Sequence, residues 1–164
     1  MTFQANTRIG LGCDVHAFAA GRKLILGGVD IPHHQGLDGH SDADVLAHAI
    51  ADALLGGVRG GDIGKLFPDT DPKYKGADSL KLLAHVAQFV RDAGFEIVDV
   101  DSVVAAQAPK LSPYRDQMRE NLANAMGIAV ENVGVKATTT ERLGFEGREE
   151  GISAQAVCLL ARCL

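Results

Sequence analysis

The segment SDADVLAHAIADALLGG, Ser41–Gly57, decides the fold class, because its apolar residues recur with the period of a helix. At about 100° per residue they form a single stripe, made of Val45, Leu46, Ala49, Ile50, Ala53 and Leu54. The pair Gly56–Gly57 ends the pattern, as glycine often does at the C-terminus of a helix. The segment therefore predicts a helix over Ser41–Leu55 with one face turned to a core.

The flanking sequence predicts strands and two further helices. Strand patterns occur at Thr7–Val15 and Lys23–Ile31, which read as a hairpin-like pair, and at Ile97–Ala106, Val133–Thr139 and Ile152–Leu164. Helical patterns cover Ser79–Ala93 and a segment that opens at Ser112–Pro113 and runs to about Met126. Because strands and helices do not alternate strictly, we expect an α+β fold, with a mixed β-sheet and helices packed on one face, in a single domain over residues 1–164.

Composition narrows the class of protein. The 164 residues are 46% hydrophobic, enough for an ordinary core. The net charge of −5 argues against a protein that coats nucleic acid, which needs a basic face. The sequence has no apolar run approaching a membrane span, and MTFQANTR does not look like a signal peptide, so we expect a cytoplasmic protein with no membrane partner. The three cysteines lack CxxC spacing and are expected to be free, buried thiols.

A candidate metal site begins in the stretch GCDVHAF, Gly12–Phe18. Residues two apart in a strand point to the same face, so Asp14 and His16 project together, although two polar residues at a surface turn would give the same pattern. His48, at the border of the helical stripe, offers a third ligand. Two imidazoles and one carboxylate form a donor set typical of a zinc site that keeps one position open. Asp44 or Asp52, on the same helical row as His48, can orient its imidazole.

The start of this helix has two interpretations. Ser41 and Asp44 form a variant of the capping box, and the segment GHSDAD also leaves backbone N–H groups where an anion can bind. His40 lies beside it and can donate to a phosphate oxygen.

Three loop segments are rich in residues that suit phosphates and bases. GDIGKLFPDTDPKYKGADS resembles an ordered flap, and it lacks the spacing of a Walker A loop. AQAPKLS, Ala106–Ser112, carries mostly small side chains, which suits backbone recognition of a flat base. KATTTERLGF places three hydroxyls beside Glu141, which suits phosphate and magnesium, although strand propensity alone also favours threonine.

Together, DVHAF, GHSDADVLAHAIADALLG, the flap segment, AQAPK and KATTTERLGFEGREEGI closely resemble the 2-C-methyl-D-erythritol 2,4-cyclodiphosphate synthase family. The resemblance covers Arg8 to about Leu160. It implies an α+β homotrimer with active sites between subunits. It also implies a small-molecule cytidine diphosphate substrate, and two metals: a divalent ion, usually zinc, and magnesium or manganese with the substrate diphosphate.

The resemblance assigns roles to individual residues. It implies metal ligands at Asp14, His16, His48 and Glu141, and catalytic roles for His40 and Thr139. Besides Asp14, His16, His40, Thr139 and Glu141, the implied substrate-binding residues are Ser41, Asp62, Ile63, Gly64, Phe67, Pro68, Asp69, Thr70, Asp71, Ala106, Gln107, Ala108, Pro109, Lys110, Leu111, Ser112, Thr138, Thr140, Phe145 and Arg148.

The implied reaction is a cyclisation in non-mevalonate isoprenoid synthesis. The 2-phosphate of 4-diphosphocytidyl-2-C-methyl-D-erythritol 2-phosphate attacks the β-phosphorus and expels CMP. One alternative is a zinc-dependent phosphoester hydrolase, which uses the same donor set with a metal-bound water. Another is a non-catalytic protein with a structural zinc or a nucleotide-binding module, which would have a closed fourth ligand; none is evident.

Overall fold

The chain forms one mixed five-stranded sheet and a separate two-stranded hairpin, described by a computed structural model over residues 6–163. The strands are β1 (Thr7–Ala19), β2 (Leu24–Leu26), β3 (Val29–Ile31), β4 (Gly36–Leu37), β5 (Phe95–Ala105), β6 (Val133–Thr138) and β7 (Gly151–Arg162). The helices are α1 (Val45–Gly57), α2 (Ile63–Leu66), α3 (Ser79–Asp92), α4 (Arg115–Met126) and α5 (Gly144–Gly147). The sheet order is β4-β1-β7-β5-β6, and β5 and β6 are parallel while the other pairs are antiparallel. The predicted α+β class and mixed sheet are confirmed.

Helix α1 lies directly on strand β1. Gly10 and Gly12 face the helix, and a Cβ atom built on them would stand 1.8 Å from the Ala53 carbonyl oxygen and 2.0 Å from that of Ala49. Only glycine permits this approach of two backbones. The predicted stripe of α1 is buried, but so are Ala47, Ala51 and Leu55, because α1 is packed between the sheet and α3.

On the opposite face of the sheet, β1 and β7 expose a group of apolar side chains in the single chain. Ile9, Leu11 and Val15 alternate with the helix-facing residues of β1, and their side chains are 55–74% exposed. Val157 of β7, which pairs with Leu11, adds to the same face. The helices therefore cover one face of the sheet and leave this apolar group uncovered on the other face, which we call the outer face.

Three sequence predictions about the elements need correction. Lys23–Ile31 is not one strand paired with β1. It folds back on itself as β2 and β3, because Gly27 and Gly28 both take positive φ, as a two-residue hairpin turn requires. Helix α1 begins at Val45 rather than Ser41, with Asp44 as its N-cap. Ser112–Tyr114 forms a 3-10 turn that precedes α4.

The prediction of three buried thiols is wrong for two of them. All three cysteines are free, and Cys158 is buried against the Ala53 carbonyl, whereas Cys13 and Cys163 are exposed. Cys13 is exposed because it takes an odd-numbered position of β1 on the outer face.

Within residues 6–163, no helix has the length and apolar character needed to cross a membrane.

Candidate active site

Asp14, His16 and His48 form a compact group between β1 and α1. Asp14 and His16 occupy alternate helix-facing positions of β1, as predicted, and His48 lies near the start of α1. Asp14 Oδ2 is 2.9 Å from His16 Nε2 and 3.1 Å from His48 Nδ1, and the two nitrogens are 3.3 Å apart. The side chains are 12–27% exposed, so solvent reaches them only in part.

The spacing of these donors fits a divalent metal ion. For metal–ligand bonds of about 2.0–2.1 Å in a tetrahedral site, the ligand atoms stand about 3.3–3.4 Å apart. The three observed separations lie near that value, and they would open slightly around an ion. Asp14, His16 and His48 can therefore hold a divalent metal ion with one position left over.

The electrostatics of the group suit cation binding. Burial raises the pKa of Asp14, but hydrogen bonding and charge interactions with His16 and His48 outweigh it and bring the pKa to about 2. Burial lowers the pKa of His16, yet Asp14 and the Asp38 carbonyl hold it above the ordinary value. The site thus keeps a carboxylate ionised next to two imidazoles in the absence of metal.

Each histidine has a hydrogen-bond partner on its second ring nitrogen. His16 Nδ1–H donates to the backbone carbonyl of Asp38. His48 Nε2 lies 2.8 Å from Ser79 Oγ and 3.2 Å from Ser41 Oγ. Ser79 in turn donates its hydroxyl and its backbone N–H to the carboxylate of Asp42.

The prediction that Asp44 or Asp52 orients His48 is wrong. Asp44 is fully buried and accepts from the backbone N–H groups of Gly27, Gly28 and Ala47, so it caps α1 and holds the β2–β3 turn. Asp52 accepts from Ile63 N at 2.7 Å and positions the start of α2. Because Asp44 caps α1, the capping interpretation of the helix start holds, with Asp44 in place of Ser41 as the cap.

His40 and the flap segment close a cavity beside the metal group. The cavity measures about 350 Å³ and is lined by His16, Gly39, His40, Ser41, His48, Ile63, Gly64, Phe67, Asp69, Tyr74 and Leu82. His40 Nε2–H donates to the Asp71 carbonyl at 3.0 Å, and Gly76 N–H donates to the His40 carbonyl at 2.7 Å. These two bonds tie the histidine to the C-terminal half of the flap.

The predicted flap residues divide into two groups. Ile63, Gly64, Phe67 and Asp69 line the cavity. Asp62 and Asp71 instead cap short helical turns, by accepting from Lys65 N and Lys73 N at 2.9 Å each. Pro68 and Thr70 lie between these groups and are not among the lining residues. The hydrogen bonds of these two caps order the segment, as predicted from its content of glycine, proline and aspartate.

The predicted AQAPKLS and threonine loops meet where β5 and β6 end. We call them the second half-site, and we call the metal group with its cavity the first. Ala106 N donates to the Thr138 carbonyl, and Arg142 N donates to Gln107 Oε1, so the AQAPKLS loop and the threonine loop are joined. Glu141 accepts from the Thr139 hydroxyl at 3.1 Å. Thr140 Oγ1 donates to the Leu143 carbonyl within the same turn.

A smaller cavity lies beside this half-site. It measures about 180 Å³ and is lined by Val104, Leu111, Ser112, Arg115, Met118, Val135, Lys136 and Ala137. Ala108, Pro109 and Lys110, predicted to bind substrate, are not among its lining residues. Phe145 lies on α5, and Arg148 after it forms an exposed ion pair with Glu150 at 2.7 Å.

The two half-sites lie at the same end of the sheet but not in contact. The ladder aligns Asp14 with Ala154, then with Val104 and Ala137, so one row crosses β1, β7, β5 and β6. Three strand spacings of about 4.8 Å separate the ends of this row by about 14–15 Å. Glu141 and the group of Asp14, His16 and His48 therefore do not share one metal in a single chain.

Sequence reasoning missed Asp42 and Ser79 beside His48, and Tyr74 and Leu82 in the cavity wall. Asp42 and Ser79 are 37 residues apart, so no local pattern joins them. The signal available was their neighbours in sequence: Asp42 directly follows His40–Ser41, and Ser79 is the last residue of the flap segment and the first of α3.

The chain matches known proteins over nearly its whole length. The YgbB family model matches residues 7–161. A 2-C-methyl-D-erythritol 2,4-cyclodiphosphate synthase of Desulfitobacterium hafniense is 61% identical over 94% of this chain and 98% of its own, and one of Bacillus cereus is 57% identical over the same shares.

Solved structures of related proteins also superpose on nearly the whole chain. The bifunctional IspDF from Campylobacter jejuni superposes with a TM-score of 0.92 at 46% identity, over 95% of this chain and 42% of that larger protein. IspF of Plasmodium falciparum in complex with CDP superposes with a TM-score of 0.85 at 32% identity, over 98% of this chain and 100% of its own.

Proposed function

This chain belongs to the YgbB family, and from that membership we infer that it is a cyclising phosphorus–oxygen lyase of isoprenoid precursor synthesis. It converts 4-diphosphocytidyl-2-C-methyl-D-erythritol 2-phosphate to 2-C-methyl-D-erythritol 2,4-cyclodiphosphate and releases CMP. The observation that carries this conclusion is the 57–61% identity to cyclodiphosphate synthases over nearly the full length of both chains. The group of Asp14, His16 and His48 beside the cavity supports it independently.

The reaction makes one phosphorus–oxygen bond and breaks another. An oxygen of the 2-phosphate bonds to the β-phosphorus, and the bond from that phosphorus to the bridging oxygen breaks, so CMP leaves with the electron pair. The attacking phosphate monoester is already largely ionised at neutral pH, with a second pKa of about 6, so no strong base is required. The protein must instead overcome repulsion between phosphates and hold the substrate bent.

We assign the first metal, of which zinc suits two imidazoles and a carboxylate best, to Asp14, His16 and His48. When bound, the ion supplies positive charge that offsets the repulsion between the attacking phosphate and the β-phosphate. His40 and Ser41 line the cavity next to this group and are assigned to phosphate binding, with His40 as a hydrogen-bond donor. The flap residues that line the cavity, which are Ile63, Gly64, Phe67 and Asp69, are assigned to the methylerythritol.

The second half-site is assigned to the nucleotide. The loop Ala106–Ser112 and the small cavity beside it suit a cytosine ring, and Thr138–Glu141 suit the diphosphate with magnesium or manganese at Glu141. Thr139 is assigned to hydrogen bonding at the phosphate that undergoes substitution. Holding both ends of the substrate supplies much of the acceleration, because well-oriented intramolecular reactions gain about 7–11 kcal/mol.

We propose that the active enzyme is a homotrimer with its sites between subunits. Two observations support this assembly. The outer face exposes Ile9, Leu11, Val15 and Val157, a surface that an associated subunit would cover. Within one chain the two half-sites are about 14–15 Å apart, whereas the nucleotide half-site of a neighbouring subunit could lie directly beside the metal group.

The reaction is tested with the purified chain and the cytidyl substrate in water enriched in oxygen-18. Phosphorus NMR should show CMP and the cyclic diphosphate in equal amounts, with no inorganic phosphate and no label in either product. Incorporation of the label would identify a hydrolase instead. His48→Ala should abolish zinc binding and turnover while α1 survives, since alanine is the better helix former, and the exposed His34→Ala serves as the matched control.

The shared site is tested by mixing disabled chains. Asp14→Ala removes a metal ligand, and Lys110→Glu with Thr139→Ala damages the nucleotide half-site, so each homotrimer should be inactive. After random reassembly at equal ratio, about a quarter of the interfaces join two intact halves. Recovery near a quarter of the activity supports a site between subunits. No recovery in mixed trimers, verified by mass, would show that each chain builds its own site.

A further inference from the structure

His48 can coordinate a metal at this site in only one of its two neutral tautomers. Its Nδ1 faces Asp14 and His16, at 3.1 and 3.3 Å, whereas Nε2 faces away from them toward Ser79. A neutral imidazole carries one ring proton, so coordination through Nδ1 requires the proton on Nε2. We propose that Ser79 and Asp42 are positioning residues that hold His48 in this form, an inference that rests on the metal site proposed above.

The direction of the hydrogen bonds follows from counting protons. An ionised carboxylate only accepts, and Asp42 accepts both from the backbone N–H of Ser79, at 3.0 Å, and from its hydroxyl. The single hydroxyl proton of Ser79 is therefore committed to Asp42. Ser79 Oγ is left with lone pairs only, so at 2.8 Å it must accept from His48 Nε2–H.

The neighbouring serine is compatible with this arrangement. Ser41 Oγ accepts from Ala43 N–H at 3.1 Å, and its own proton can be directed to Ser79 Oγ at 3.4 Å. Ser41 therefore adds to the network without requiring His48 to give up its Nε2 proton.

The pair is held in place before any ligand binds. Ser79 is 1% exposed, so water does not compete for its hydroxyl. Asp42 N–H donates to the Ala77 carbonyl at 3.0 Å, and Asp42 Oδ1 also accepts from Asp44 N at 3.1 Å. These backbone bonds fix Asp42 between the N-termini of α1 and α3. This series of hydrogen bonds, from Asp42 through Ser79 to His48, resembles the carboxylate–histidine–metal arrangements of metalloenzymes, with a hydroxyl group between the carboxylate and the histidine.

The test uses three single variants of the full-length chain and the zinc ion as probe. Ser79→Ala removes the acceptor. Asp42→Asn replaces the carboxylate with a group that can donate to Ser79 Oγ, which frees the serine proton to point at His48. Asp78→Asn is the matched control, because Asp78 caps the same helix through Leu80 N at 2.9 Å and has no hydrogen bond to His48. Zinc affinity is measured by competition with a chromogenic chelator.

We expect Ser79→Ala and Asp42→Asn to weaken zinc binding by about 10–100-fold, while Asp78→Asn stays within about twofold of the unmodified chain. In the zinc-loaded protein, nitrogen-15 NMR of the histidine rings should show a slowly exchanging Nε2–H of His48 that is lost in Ser79→Ala. This resonance reports the hydrogen bond itself and does not depend on turnover.

The possible failures are distinguishable. If the unmodified chain binds no zinc at this site, the proposed metal site fails, and this inference with it. If the unmodified chain binds zinc and both variants bind it equally well, the metal site stands and the positioning role is refuted. If Asp42→Asn does not fold by circular dichroism, Ser79→Ala decides alone, since it keeps the bond from Asp42 to the backbone of residue 79.

Discussion

Removal of the Asp44 carboxylate should destabilise the chain through three separate backbone contacts. Asp44 accepts from Ala47 N at 3.1 Å, from Gly27 N at 3.0 Å and from Gly28 N at 2.8 Å. The first bond caps α1, and caps contribute about 1 kcal/mol. The other two hold the β2–β3 turn, and hydrogen bonds to a charged group contribute about 1.5–3 kcal/mol each.

The gross loss of about 4–7 kcal/mol is offset in part by the cost of burying the carboxylate. That cost is visible in the pKa of Asp44, which burial raises to about 6 even though the three N–H donors lower it. Because the substitution leaves the buried N–H groups of Gly27 and Ala47 without their acceptor, we expect Asp44→Ala to lower the free energy of unfolding by about 2–4 kcal/mol. Asp44→Ser should lose about 1 kcal/mol less, because serine still caps the helix but does not reach both glycines.

The assay is urea unfolding followed by circular dichroism, with every variant at the same protein concentration, since the apparent stability of an oligomer depends on concentration. Asp78→Ala is the control, because it removes an exposed helix cap that holds no turn, and it should cost about 1 kcal/mol. If Asp44→Ala costs no more than Asp78→Ala, the buried carboxylate does not hold the turn and the reasoning is wrong.

Three further outcomes are expected. The stability advantage of the unmodified chain over Asp44→Asn should fall as the pH rises from about 4 to about 6. Burial raises the pKa of Asp44, so in this range the folded chain keeps a proton that the unfolded chain releases. A stability difference that does not change with pH in urea titrations would contradict this. Gly12→Ala should cost at least about 2 kcal/mol, since its Cβ would meet the backbone of α1, whereas Gly56→Ala, with its nearest contact at 3.7 Å, should be neutral or stabilising in the same melts. Under native conditions a thiol reagent should label Cys163 and spare Cys158, whose pKa burial raises to about 11; rapid labelling of Cys158 before unfolding would refute its burial.

Local patterns were sufficient for the metal group. The two-residue period of β1 places Asp14 and His16 on one face, and the helical period places His48 at the edge of a buried stripe. Periodicity therefore identified the three residues, and the contact of α1 with β1 brings them within reach of one ion. The helix α1 itself was predicted to within four residues at its start.

Hydrogen-bond partners that are distant in sequence could not be predicted from these local patterns. Asp44 rather than Ser41 caps α1 because a turn that lies 16–17 residues upstream fills its other acceptor positions. Similarly, Asp42 and Ser79 meet only because the flap returns the chain to the start of α1. The distance between the two half-sites depends on strand order, which the sequence pattern of each strand does not contain.

The contact of Gly10 and Gly12 with the carbonyl oxygens of α1 makes β1 and α1 a rigid unit, to which the flap and the loops after β5 and β6 are attached. Asp14 and His16 follow these glycines on β1, and His48 is adjacent to Ala49, so the strand–helix contact sets the separation of the metal donors. A methyl group there would push the helix away by about 1 Å, several times the tolerance of about 0.2 Å for a metal bond. Variation that alters substrate preference should therefore accumulate in the flap and in the loops after β5 and β6. The two glycines, which face the backbone of α1 and do not line the cavity, should be as resistant to replacement as Asp14, His16 and His48.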